Sequence, residues 1–259
     1  MNPDKVIDIR GRKLGAEPPL ICTPLVGRTR ESVLSEAATV VAKKPDVIEW
    51  RVDFFGAIGD KAAVLDTGKA LRAAVGDTPL IFTRRSAKEG GEPIALDDEA
   101  VVGLYDAVGA SGLVDFLDFE MGNDPEHVRR VRESARKQGA RTIFSYHNFG
   151  YTPGQDFLVQ RFLEAERLGA DVAKVAVMPR NRRDVLALLA ATAEADDKSR
   201  IPLISMSMGP LGAVTRMIGG VFGSSLSFAV GSASSAPGQM PIADLDAVYA
   251  VIRRARGGT

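Results

Sequence analysis

Cysteine occurs once in the 259 residues, at Cys22. A single thiol excludes an intrachain disulfide and a metal site built from several cysteines. Set in an apolar run, Cys22 reads as a small buried hydrophobe. Net charge is also missing: 33 Lys and Arg balance 33 Asp and Glu. Such a chain has no bulk attraction for nucleic acid or an anionic membrane, so any anion it binds must be gripped locally. No apolar run approaches the roughly 18 residues of a membrane span. The charged start, residues 1–10, lacks the apolar stretch of a signal peptide. The expectation is a soluble, cytoplasmic protein with no nucleic-acid or membrane partner.

What is present is ordinary for a soluble globular chain: 45% hydrophobic and 25% charged residues. The length suits one α/β barrel or two small domains and is ample for a large core. Short β-branched runs fall at 20–24, 47–51, 80–83, 113–119, 142–146, 172–177, 203–206 and 226–229. Between them lie stretches with apolar residues three and four apart, the mark of a helix with one buried face. Examples are Val33, Ala37 and Val40; Leu158, Phe162 and Ala165; and Val185, Leu188, Leu189 and Thr192. Asp124-Pro125-Glu126 reads as a helix start, because proline at the first helical position loses no needed N–H. Gly139 and Gly169 stand where helices should stop.

Eight strands alternating with helices imply a parallel sheet, and eight is the number that closes a (βα)8 TIM barrel. A doubly wound sheet would open with a glycine fingerprint, and Pro24-Leu25-Val26-Gly27-Arg28 is none. No linker, repeat or low-complexity segment divides the chain, so residues 1–259 are read as one domain. The alternating residues 6–14 around Gly11 predict a small hairpin capping the barrel floor.

Strands buried on both faces should be continuously apolar, yet several here carry ionisable groups. Residues two apart share a strand face. Glu49 therefore points with Arg51, Thr83 with Arg85, Ser145 with His147, and Met206 with Met208. Lys174 lies mid-strand among Val172, Ala173, Val175, Ala176 and Val177. Closing the barrel would bring Glu49, Arg51, Arg85, His147, Lys174 and Met206 to one mouth, near the strand ends where barrel enzymes keep their sites. Most have an ordinary alternative: a rim ion pair for Glu49 and Arg51, a solvated loop for Arg85, a hydrogen-bonded core histidine for His147. Lys174 has the least room for one. It cannot snorkel from mid-barrel, and an ammonium buried among apolar neighbours is pressed toward the neutral amine that Schiff-base chemistry uses. Arg216 adds a candidate anion-binding group. The segment 231–241, rich in Gly, Ser and Pro, reads as a surface loop or a mobile lid carrying Ser235 and Gln239. Residues 219–224 look like a phosphate cradle but precede the last strand, and so face the floor.

Several motifs together resemble one family, the type I 3-dehydroquinate dehydratases. They are Glu49-Trp50-Arg51-Val52-Asp53, the run from Phe82 through Thr83-Arg84-Arg85-Ser86 to Glu89-Gly90-Gly91-Glu92, and Ser145-Tyr146-His147-Asn148-Phe149. Lys174-Val175-Ala176-Val177-Met178-Pro179, Met206-Ser207-Met208-Gly209, Arg216, Val221-Phe222-Gly223-Ser224 and Ser235-Ala236-Pro237-Gly238-Gln239 complete the set. The resemblance runs from about residue 20 to the C-terminus. It implies that Lys174 forms an imine with the C3 ketone of 3-dehydroquinate. His147 would take the C2 proton and return one to the departing C1 hydroxyl, with Glu89 orienting it. Arg216 would clamp the substrate carboxylate, Glu49, Arg51 and Arg85 the hydroxyls and ketone side. Ser235 and Gln239 would close from above, while Met206 and Met208 line an apolar wall. It further implies a homodimer and no metal or organic cofactor. Three places depart from the pattern: Pro24 where members can carry Ser, Pro210-Leu211 where charged residues can occur, and Phe119 in a usually aliphatic position. Two other readings share some of these residues. A class I aldolase would use Lys174 but has less need of His147, Glu89 and Arg216 together, and should show a phosphate loop, for which Gly209 and Gly231-Ser232 are poor material. A non-catalytic metabolite-binding relative would have no reason to keep both Lys174 and His147.

Overall fold

The computed structural model describes residues 5–231 and 235–257, so Ser232 and its two successors in the expected lid lie outside it. The chain begins with an antiparallel hairpin of β1 (Ile7–Ile9) and β2 (Arg12–Leu14), with Ile7 opposite Leu14. Its two turn residues, Arg10 and Gly11, both have positive φ. That is the backbone twist a tight hairpin prefers, free for glycine and mildly strained for arginine. Leu14 is buried and packs with Ile7 and Ile9 against the lower barrel interior, so the hairpin closes the floor as expected.

Eight parallel strands follow: β3 (Leu20–Leu25), β4 (Val47–Arg51), β5 (Leu80–Thr83), β6 (Phe116–Glu120), β7 (Arg141–Asn148), β8 (Val172–Val177), β9 (Leu203–Ser207) and β10 (Leu226–Phe228). Each pairs with its chain neighbour from β3 to β9, and β10 returns to pair with β3. Between β9 and β10 the sheet meets through a Leu203–Ser224 bridge, with Ser225 N donating to Leu203 O at 2.7 Å. The result is a nearly closed barrel. Helices α1 (Arg30–Val41), α2 (Lys61–Val75), α3 (Asp98–Ser111), α4 (Pro125–Arg136), α5 (Gln155–Arg167), α6 (Arg182–Lys198), α7 (Gly209–Ile218) and α8 (Ile242–Ala255) follow the strands in turn.

The helices begin where side chains supply acceptors for otherwise orphaned N–H groups. Thr29, Asp60, Asp97, Asp124 and Asn181 cap α1, α2, α3, α4 and α6 in this way. Pro125 occupies the first turn of α4, and Gly139 and Gly169 are left-handed just beyond the ends of α4 and α5. The three apolar faces read from the spacing are the buried ones. Most strands match the predicted runs to within one or two residues at an end, and one starts well inside its run. The run at 113–119 forms β6 only from Phe116, because left-handed Gly112 ends α3 and Asp115 is taken up by turn contacts to Leu80 N, Arg10 and Arg72. The same shift carries β6 one residue further, to Glu120.

Alternation along the strands divides the core. Trp50, Phe82, Leu117, Phe144 and Val175 face outward onto the helices. Cys22, Val47, Ile81, Phe116, Ile143, Val172, Ile204 and Leu226 face inward and fill the lower barrel. Each such burial contributes roughly 1.5–3 kcal/mol. No helix among the described residues is long and apolar enough to cross a membrane.

Candidate active site

One pleat repeat above the apolar floor, the inward face becomes charged. Glu49, Thr83, Asp118, Ser145 and Lys174 follow Val47, Ile81, Phe116, Ile143 and Val172 by two residues, and all five are buried. A further two residues up stand Arg51, Arg85, Glu120, His147 and Ala176, with Met206 beside Ala176 on β9. An isolated buried charge costs several kcal/mol, so each must find its partner across the barrel.

Lys174 finds two. Its Nζ donates to Asp118 Oδ2 at 2.8 Å and lies 3.6 Å from Glu49 Oε1, with the Phe228 ring centre 4.5 Å away. The lone ammonium suggested by its apolar strand neighbours is therefore not what folds: β4 and β6 deliver carboxylates from the far side of the barrel. Asp118 is wholly buried. Its Oδ1 accepts from Arg85 Nη2 and from Ser145 Oγ, each at 2.7 Å. Burial alone would raise its pKa, but Arg85 and Lys174 overcome that and hold the carboxyl well below the usual range.

His147, near the end of β7, meets Glu89 from the short helical turn after β5. One oxygen, Glu89 Oε2, receives both the backbone N–H of His147 and ring Nδ1 at 2.9 Å. An Nδ1–H donated to that oxygen leaves the lone pair of the neutral ring on Nε2. Burial, with Arg85 and Lys174 nearby, pushes the imidazole pKa well below its ordinary 6.5. Burial pushes the Glu89 carboxyl up to about 8 against the pull of Arg85.

Arg85 is the hub of the upper layer. Nη1 donates to Ser145 Oγ at 2.8 Å and to Glu120 Oε1 at 3.2 Å. Arg51 is held by Asp53 through Nε at 2.8 Å and Nη2 at 2.7 Å, so the rim pair is Arg51 with Asp53 and not with Glu49. The Asp53 carboxylate also accepts from Arg85 N at 3.3 Å and Glu92 N at 3.1 Å, and Glu120 accepts from Ser86 N at 2.6 Å. Two buried acids thus fasten the segment that carries Glu89. Gly90, left-handed at φ +84°, lets the Phe149 ring lie against the same segment, where any Cβ would collide with it.

These groups surround one cavity at the mouth of the barrel. Glu49, Arg51, Arg85, Glu89, His147, Lys174, Met206, Met208, Ser235 and Gln239 all line it. Ser235 and Gln239 bond to one another, Gln239 Nε2 donating to Ser235 Oγ and Ser235 N to Gln239 Oε1, both at 3.1 Å. Arg216 lies just behind the wall. It is 1% exposed, with Nη1 3.3 Å from Phe228 O and 3.6 Å from Met206 Sδ, and Nη2 3.3 Å from Pro237 O. It has no carboxylate partner among the described residues, its Nε is without an acceptor, and burial pulls its pKa down to about 10. Among the described residues no group of three or more His, Cys, Asp and Glu is placed to hold a metal.

Sequence reading overlooked Asp118, Glu120 and Asp53 as site residues. Asp118 and Glu120 carried the same signal as Glu49 and Arg51, ionisable groups two apart in a buried strand. Placing that strand at 113–119 hid it by putting its end one residue early.

The model of the type I 3-dehydroquinase family matches residues 21–256. A 3-dehydroquinate dehydratase of Albidiferax ferrireducens is 54% identical over 258 residues, covering 99% of this chain and 98% of that protein. One from Aromatoleum aromaticum is 49% identical over 253 residues, with 97% of each covered. The crystal structure of 3-dehydroquinate dehydratase from Geobacillus kaustophilus superposes with a TM-score of 0.95 at 45% identity, covering 96% of this chain and 97% of that one.

Proposed function

We infer that this chain, which belongs to the type I 3-dehydroquinase family and is a 3-dehydroquinate dehydratase, works through an imine on Lys174 with His147 as the carrier of the proton. One observation carries the reading. A single small cavity is lined both by a buried lysine and by a histidine whose Nδ1 is committed to an acid.

The chemistry follows from the groups. Lys174 condenses with the C3 ketone and releases water. The resulting cation draws electrons from the ring and acidifies the proton on C2. Neutral His147, its Nε2 free, takes that proton. The imidazolium then gives a proton to the C1 hydroxyl as the C1–O bond breaks, and the electron pair of the enamine closes the C1–C2 double bond. Hydrolysis of the product imine frees 3-dehydroshikimate and restores the lysine. Glu89 holds the ring and steadies its charged form. Arg216 is suited to the substrate carboxylate, because a buried guanidinium without an anionic partner among the described residues gains one when substrate arrives. Glu49, Arg51 and Arg85 face the hydroxyls and the ketone side, Met206 and Met208 form the apolar wall, and Ser235 with Gln239 covers the ring. Family membership further suggests one catalytic domain, working as a cytoplasmic homodimer; sedimentation of the purified protein reads its mass in solution.

The test is intact-protein mass after mixing enzyme, 3-dehydroquinate and borohydride, with enone absorbance followed without reductant. An adduct mapping to Lys174 together with growing absorbance is the expected result. Turnover without any adduct on Lys174 would sink the imine mechanism.

A further inference from the structure

Resting on that imine reading, we propose that Asp118 is the fixed counter-ion of the Lys174 nitrogen whenever that nitrogen is charged, as ammonium and as iminium, and aims its one remaining N–H in the imine. When an ammonium condenses with a ketone, a C=N bond replaces the C=O bond. The oxygen leaves as water with two of the nitrogen's three protons. One N–H and one positive charge stay on the nitrogen, so the charge at that point in the barrel is the same before and after. A carboxylate placed for the ammonium serves the iminium with no rearrangement, which is where preorganised electrostatics are most effective.

Asp118 meets that description better than its neighbour. Its Oδ2 is 2.8 Å from Nζ, against 3.6 Å for Glu49 Oε1. The Glu49 oxygen also accepts from Thr83 Oγ1 at 2.8 Å. Asp118 cannot turn, because Arg85 and Ser145 both hold Oδ1, which leaves Oδ2 for the lysine. An iminium is planar: its N–H and the lysine Cε lie in one plane with the two ring carbons that flank C3. Pinning the N–H therefore selects which flank lies beside Cε, and with it how C2 is presented to His147. Asp118 acts at the reacting nitrogen without touching the atoms that lose water. The other titratable or charged groups around the pair are Glu49 from β4, Arg85 and Glu89 after β5, Tyr105 from α3, His147 from β7 and the Cys22 thiol from β3. β9 and β10 offer only Met206 and the Phe228 ring.

Asp118→Asn keeps the shape and removes the charge. The experiment measures kcat, KM and the pH dependence of borohydride trapping on Lys174 in the folded variant, with folding checked by circular dichroism. The expected result is a kcat lower by about 10²–10³-fold, a KM within about threefold of normal, and trapping that falls away at a lower pH than in the wild type. The direction of that shift follows from the charge: without the carboxylate the iminium gives up its proton more readily. Trapping with an unmoved pH limit overturns the proposal whatever kcat does, since a loosened scaffold would slow the enzyme without moving that limit. If the asparagine variant does not fold, Ser145→Ala decides, because it frees one anchor of Oδ1 and leaves the charge. A pH limit of trapping that moves down, by less than removal of the charge would move it, supports the proposal, and an unmoved limit overturns it whatever kcat does. Failure of the wild type itself to trap on Lys174 is a separate result and removes the imine reading instead.

Discussion

The lower and upper halves of the barrel interior are built from the same strands and the same face, yet they obey different rules. Val47, Ile81, Phe116, Ile143 and Val172 fill the floor. Two residues on, roughly 7 Å up each strand, stand Glu49, Thr83, Asp118, Ser145 and Lys174. The floor gains stability from every apolar group it hides. The layer above loses water around each charge and recovers the cost only through contacts between strands, such as Lys174 on β8 with Asp118 on β6. A barrel selected for stability alone has no reason to change rule halfway up. The change marks where stability is exchanged for chemistry.

The largest expected effect removes the cation of the upper layer. Lys174→Ala should abolish imine formation and lower turnover by at least about 10⁴-fold, while the protein stays folded because Asp118 keeps Arg85. Trapping by mass and enone absorbance check it, and a variant with normal turnover would break the contrast between the halves. His147→Ala comes next. It should still trap the imine while turnover falls by about 10²–10⁴-fold, which separates the proton carrier from the nucleophile. Loss of trapping in a folded His147 variant would count against that division of labour.

Much of this contrast is legible in the sequence. The period-two pattern placed Glu49 with Arg51 and Ser145 with His147, and the isolated Lys174 stood out by its neighbours. Strand and helix counts gave the barrel, and residues 6–14 gave the floor hairpin. Pairings across the barrel were not legible. Nothing local to Lys174 announces Asp118, which is 56 residues away in the chain. Nor does Arg51 reveal that Asp53, not Glu49, is its partner, since the kink after β4 that swings Asp53 back depends on tertiary packing. Arg216 stands out as a cation, but its place behind the wall follows from the packing of α7 on β9, which lets its Nη1 reach Phe228 O.

The third expectation takes the floor. Ile143→Ala lies one pleat repeat below Ser145 and removes buried methyl groups without touching a charge. It should cost about 2–5 kcal/mol of stability and leave kcat within about twofold. Urea unfolding and steady-state rates read the two quantities separately. A folded variant that lost more than tenfold in kcat would show that the floor also tunes the chemistry, and the division into halves would have to be redrawn.

The smallest expected effect is in pH, and it sharpens the upper layer alone. Burial, with help from Arg85 and Lys174, holds the His147 ring well below its ordinary 6.5. The neutral ring is the base, so a lowered pKa keeps the base ready to lower pH. The acid limb of kcat/KM, which reports the free enzyme, should therefore lie below 6.5. The same shift carries a cost. In the unfolded chain the ring takes a proton near 6.5, whereas the folded protein resists it, so the folded state loses stability as pH falls from that value toward the folded pKa. Replacing His147 with Ala should remove that part of the acid sensitivity. Wild type and variant should differ in the stability they lose between pH 7.5 and 5.5, with the wild type losing more. Equal losses, or an acid limb at or above 6.5, would mean that the ring is not kept neutral by its surroundings, and the proton carrier would then owe its readiness to the arriving substrate rather than to the barrel.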